Sequence, residues 1–90
     1  MIVARRFIVS GRVQGVGFRF FAEEHARIEQ IAGYVRNLPD GRVEAVAEGE
    51  EDNLLRFERA LNRGPRGAIV ERVVAEPLPP ESRFGFSIRA

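Results

Sequence analysis

The sequence predicts an α+β sandwich in which two helices lie on one face of an antiparallel sheet of four or five strands. Three observations predict it. Runs of apolar and β-branched residues alternate with two stretches of helical periodicity, in the order strand, helix, strand, strand, helix, strand, with a short strand added at the end. A Pro-Asp-Gly segment between the middle two strands is a hairpin signal. Ninety residues suffice for one core only, since so short a chain buries roughly 60–65% of the surface its unfolded form exposes. The order is the split β-α-β, ferredoxin-like pattern, expected to run as a single domain over residues 1–90.

Residues 2–10 form the first strand around Phe7-Ile8-Val9, stopping at Ser10-Gly11, and residues 11–17 make a loop with three glycines. From Phe18 to about Ile31 the period is helical, and Phe18, Phe21, Ala22, Ala26 and Ile28 gather into one apolar arc that should lie on the sheet. His25 and Glu29 fall within that arc one turn apart, close enough to pair; a histidine packed at the sheet edge is the other reading, and neither residue is assigned a catalytic role. Residues 33–38 and 42–48 are strands joined through Leu38-Pro39-Asp40-Gly41. Glu50-Glu51-Asp52 opens a second helix with carboxylates against the positive end of its dipole; Leu54, Phe57 and Leu61 form its stripe, and Asn62-Arg63-Gly64-Pro65 ends it. Residues 69–74 are the fourth strand, Pro77-Leu78-Pro79-Pro80 a connector, and alternating Phe84, Phe86 and Ile88 a short fifth strand.

Composition excludes much. Without cysteine there is no disulfide, no thiolate nucleophile and no Cys-ligated metal, and a reducing cytoplasm is the expected location. No stretch approaches the ~20 apolar residues of a membrane span, and the N-terminus lacks a signal-like apolar run. A net charge of +1 gives no general attraction to nucleic acid or anionic lipid, so any anion must be bound locally. All 14 basic residues are arginines, which removes phosphate-loop and Schiff-base lysines and leaves the rigid fork suited to phosphate.

Gly11-Arg12-Val13-Gln14-Gly15-Val16-Gly17 lies between a strand and a helix start, where backbone N–H groups without helical partners can receive a phosphate, and Arg19 follows in the first turn. From the loop alone, a glycine-rich turn with a solvated arginine remains open. The dinucleotide fingerprint is ruled out because Gly15-Val16-Gly17-Phe18-Arg19-Phe20 lacks its third glycine, and no Lys-Ser/Thr pair exists for a Walker loop. A Ser-His-acid triad would have to use the sole histidine, His25, and zinc would find no cysteine. Glu48, Glu50, Glu51 and Asp52 could chelate a divalent ion, but a solvated helix start explains them better; no metal and no cofactor are expected.

Val9-Ser10-Gly11-Arg12-Val13-Gln14-Gly15-Val16-Gly17-Phe18-Arg19 resembles the first signature of the acylphosphatase family. Gly33-Tyr34-Val35-Arg36-Asn37-Leu38-Pro39-Asp40-Gly41-Arg42-Val43, followed by Gly49, resembles the second, in the family's order and spacing, so the likeness covers essentially the whole chain. It implies hydrolysis of acyl phosphates, with Arg19 binding the phosphate, Gln14, Gly15, Val16, Gly17, Phe18 and Arg19 supplying backbone donors, and Asn37 orienting water. It departs from the family's commoner pattern at Gln30, where a glycine usually closes the first helix. Asn37 suits the assigned task, because an amide can donate and accept while being a poor base.

The expected partner is a small acyl phosphate, with no nucleic acid and no membrane, and the chain is expected to be a monomer. An RNA-binding module of the same fold would need exposed aromatics on paired central strands and an RNP-type run, whereas the aromatics here, Phe7, Phe18, Phe20, Phe21, Tyr34, Phe57, Phe84 and Phe86, are mostly helical or peripheral and lack that run. A detached domain of a larger carbamoyl-transfer protein is the other alternative; beginning at Met1 and ending just after the last strand, the chain is expected instead to be free-standing.

Overall fold

The computed structural model describes residues 1–90. Its elements are β1 (Ile2–Arg12), α1 (Phe18–Ile28), β2 (Ala32–Asn37), β3 (Val43–Glu50), α2 (Glu51–Arg63), β4 (Ile69–Leu78) and β5 (Phe86–Arg89). The strands form one sheet in the order β4-β1-β3-β2-β5. The α+β reading and the split β-α-β order therefore hold. The sheet is mixed, however: β1 pairs antiparallel with β3 and β4, and β2 antiparallel with β3, but β5 runs parallel to β2. The added strand reaches the far edge by a crossover through residues 79–85, a connection that sets its direction independently of the hairpins.

Strand alternation divides the sheet into two faces. Phe7 and Val9 stand opposite Ala45 and Val43, and Val35 opposite Ala45, so these odd-numbered residues share one face with no exposure. Phe18, Ala22 and Ala26 of α1 and Leu54, Phe57 and Leu61 of α2 close the same core. Phe57 is its centre, with its ring 6.1 Å from Phe7 and 5.9 Å from Phe86. Truncating a ring at such a site costs about 3–5 kcal/mol, a large share of a small domain's stability.

On the opposite face Glu44 is buried and receives Arg6 Nε and Arg36 Nε, each at 2.6 Å, and Arg6 reaches Glu76 at 2.9 Å. Ile8 and Val46 lie buried on this face too, in a sheet whose long charged side chains lay apolar stems over neighbours. The face that an RNA-binding sheet uses is thus a lattice of ion pairs, with Tyr34 as its one strand aromatic.

Several local expectations are corrected. α1 stops at Ile28, which is 61% exposed and outside the apolar arc. Gln30 takes the left-handed conformation (φ 57°), with Ile31 N–H donating to Ala26 O at 2.8 Å and Gln30 N–H to Arg27 O at 3.2 Å, so a Schellman closure forms without the usual glycine. His25 and Glu29 do not pair: the imidazole packs tilted against the Phe21 ring with centroids 4.4 Å apart, and Glu29 accepts from Arg56 of α2 at 2.8 Å. β4 continues through Pro77 and Leu78, which is tolerated because β4 is an edge strand whose outward N–H groups have no ladder partner to lose. Phe84 lies before β5 and is fully exposed. Glu48 is not solvated. Only 5% exposed, its carboxylate accepts from Glu81 N–H at 2.9 Å, Arg83 N–H at 3.3 Å and the Arg83 guanidinium at 2.6 Å, fastening the crossover to β3.

Candidate active site

β1 delivers the chain to the loop 13–17, and the loop turns into α1 by two glycines in left-handed conformations, Gly15 at φ 74° and Gly17 at φ 78°. Space does not demand glycine there, since a Cβ at either position would meet nothing within 4 Å. The backbone conformation does, because side-chain-bearing residues pay about 1 kcal/mol or more to adopt it.

The consequence is a run of unused donors. None of the N–H groups from Gln14 to Phe20 donates to a backbone carbonyl; the first helical bond is Phe21 N–H to Gly17 O, at 3.0 Å. α1 has no side-chain cap and no acidic residue in its first turn, whereas α2 begins with Glu51 and Asp52 against its positive end. Only α1 therefore presents an open positive terminus to an exogenous anion.

Arg19 stands in that first turn with no carboxylate in ion-pairing range. Asn37 is the last residue of β2, paired with Val43 across the hairpin. Both line one concavity of about 230 Å³, together with Val13, Gly15, Gly17, Phe18 and Phe20. No carboxylate lines it. The structure thus brings Arg19, Asn37, Gly15 and Gly17 together around one concavity.

Gln14 adds a side-chain contact to the free backbone N–H it shares with its neighbours. Its side-chain amide donates to Leu38 O at 2.8 Å and to Arg42 O at 3.0 Å, tying the loop to the turn that follows Asn37. The turn is itself locked: Leu38 N–H donates to Arg42 O, Gly41 N–H to Leu38 O with Gly41 at φ 98°, and Asp40 accepts from Arg42 N–H and Arg42 Nε. These donors, the Arg42 backbone N–H foremost, hold the Asp40 carboxyl below its ordinary value. Sequence reasoning counted Gln14 among phosphate donors and missed this tie, which spans 24 residues and has no local signature.

A larger depression, about 450 Å³, lies along the β2–β5 edge. Its cations are engaged: Arg83 binds Glu48 and Glu81, and the Arg89 guanidinium sits 3.9 Å from the centre of the Tyr34 ring. It offers an anion no free fork. No three His, Asp or Glu side chains cluster as metal ligands, the acidic residues near α2 being spread among Arg83, the N-terminal ammonium (Glu50, 2.6 Å) and Arg5 (Glu51, 3.8 Å).

A family model described as Acylphosphatase matches residues 5–88. The chain belongs to the acylphosphatase family. An acylphosphatase of Pseudomonas aeruginosa is 53% identical over 81 residues, covering 90% of this chain and 89% of that protein. The crystal structure of acylphosphatase from Bacillus subtilis superposes with a TM-score of 0.95 at 41% identity, covering all of both chains. Full-length HypF contains the same fold, with a TM-score of 0.90 at 26% identity, this chain covering 12% of it. The loop 13–17, Arg19 and Asn37 all lie inside the matched span of the family. No helix is long and apolar enough to cross a membrane.

Proposed function

We propose that this chain hydrolyses the carboxyl-phosphate bond of small acyl phosphates, with Arg19 and the amides of residues 14–19 binding the phosphoryl group and Asn37 orienting the attacking water. The carrying observation is that the unused amides, an arginine without a counter-ion and an amide side chain border a single concavity free of carboxylates.

Water attacks phosphorus in line with the acyl oxygen, the phosphorus–oxygen bond to the acyl group breaks, and the carboxylate departs with the electron pair. A substrate phosphate oxygen takes the proton, since Asn37 is no base. A carboxylate is already a good leaving group, so positioning and charge stabilisation suffice: the Arg19 fork and the amides neutralise the equatorial oxygens, and Asn37 holds the nucleophile. Residues 1–90 act as one unit, cytoplasmic and monomeric, without metal or nucleic acid.

Benzoyl phosphate should be turned over in EDTA and p-nitrophenyl phosphate barely at all, because its phenolate leaving group needs more help than these residues offer. Equal activity on both would overturn the reading. Arg19→Ala should lose phosphate inhibition and turnover together, and Arg19→Lys should not restore them, since a point charge cannot replace a bidentate fork. Asn37→Ala should keep phosphate inhibition while kcat falls by about 10²-fold or more. Both variants are to be checked for folding by circular dichroism; a folded Asn37→Ala that stays active removes Asn37 from the mechanism.

A further inference from the structure

Phosphate and water account for Arg19, Asn37 and the loop, but the concavity has a further wall. Phe20 lines it and is 68% exposed, while the aromatics near it in sequence are committed elsewhere: Phe18 is buried in the core and Phe21 packs against His25. Phe20 makes no such aromatic contact. A large apolar ring left in water beside a polar anion cradle has surface to gain when a ligand covers it.

From this exposed ring at the rim of the phosphate cradle we infer that Phe20 is a specificity-determining residue: it receives the acyl portion of the substrate and favours aromatic or bulky apolar acyl phosphates over short ones. The inference rests on the proposed hydrolysis. Chemistry around the ring supports it. Arg19 is required by the phosphoryl group, and no carboxylate lines the concavity to recognise a cationic acyl group. The side chains left to contact an acyl group are apolar, and Phe20 is the exposed one among Val13, Phe18 and Phe20. Phe20 and Arg19 both line this one concavity from the first turn of α1, so one ligand spanning a phosphate and a neighbouring carbonyl substituent is within reach of both.

The test compares kcat/KM for benzoyl and acetyl phosphate in the wild-type chain, Phe20→Leu and Phe20→Ala, each first shown folded by circular dichroism. The benzoyl preference should fall roughly tenfold in Phe20→Ala, the scale of one aromatic contact, with Phe20→Leu between. Inhibition by phenylphosphonate and by inorganic phosphate gives a readout without turnover: the phenyl compound should lose its advantage in Phe20→Ala. If the wild-type chain hydrolyses neither acyl phosphate, the proposed function fails. If it hydrolyses both and Phe20→Ala leaves the benzoyl-to-acetyl ratio and the phenylphosphonate advantage unchanged, hydrolysis stands and this inference is overturned.

Discussion

The tie between Gln14 and the β2–β3 turn makes a graded prediction. Two hydrogen bonds, at 2.8 and 3.0 Å, leave one side-chain amide for the carbonyls of Leu38 and Arg42, on either side of the turn. Each such bond contributes about 0.5–1.5 kcal/mol, so Gln14→Ala should lose about 1–3 kcal/mol, and in a chain of this size about 5–20 °C of melting temperature. Turnover should suffer beyond stability, because the same bonds fix Asn37 relative to the phosphate loop; a kcat loss of roughly 10–100-fold with little change in phosphate inhibition is expected. Gln14→Glu should be worse than Gln14→Ala at pH 7, since an ionised carboxylate there faces two carbonyl oxygens with no proton to give. Lowering the pH protonates that carboxyl, restores one donor and should recover part of the loss, whereas Gln14→Ala should show no such recovery. The assays are steady-state kinetics and thermal melts from pH 4.5 to 7.5. A Gln14→Glu protein as active and stable as wild type at pH 7 would refute the reasoning.

Two further outcomes follow from strain and from buried charge. Gln30→Gly should stabilise by about 0.5–1 kcal/mol, raising the melting temperature by about 2–8 °C, because Gln30 already holds the left-handed position of the α1 closure; a lower urea midpoint would contradict it. Burial pushes the Glu44 carboxyl upward, but hydrogen bonds from Arg36 and Arg6 outweigh it and hold the pKa below its ordinary 4.5; Glu48 behaves alike, its donors being Glu81 N–H and Arg83. Their stabilisation is therefore present above the ordinary carboxylate range and is lost as pH falls through that value towards the depressed ones. Melts between pH 7 and 3 should show this acid loss, with a shallower pH dependence in Glu44→Gln; an unchanged slope in that variant would remove Glu44 from the linkage.

What the sequence disclosed was what local chemistry encodes. Pro39, Asp40 and Gly41 specify their turn by backbone preference alone, and the period of Leu54, Phe57 and Leu61 specifies the buried face of α2. Gly15, Gly17, Arg19 and Asn37 were legible because the motifs mark them, and in the structure they border one concavity. Long-range placement was not legible. Glu48 looks like a helix-start carboxylate until the crossover folds over it, and Pro77 looks like a break until β4 proves to be an edge strand. Ile28 fits the helical wheel, but α1 ends there and leaves it facing water. The parallel direction of β5 depends on the path of residues 79–85, which no periodicity reports.

That path has a consequence for how the sheet comes apart. β4 and β5 are its two outer strands, and in most sheets such strands open independently, each at its own low cost. Here they are the two ends of one continuous segment, held near its middle by the three donors that meet Glu48. Releasing that carboxylate slackens both margins at once, while keeping it engaged restrains both. The two margins of the sheet are thus coupled through one buried side chain on its central strand, β3, the same strand that pairs with the Asn37 end of β2.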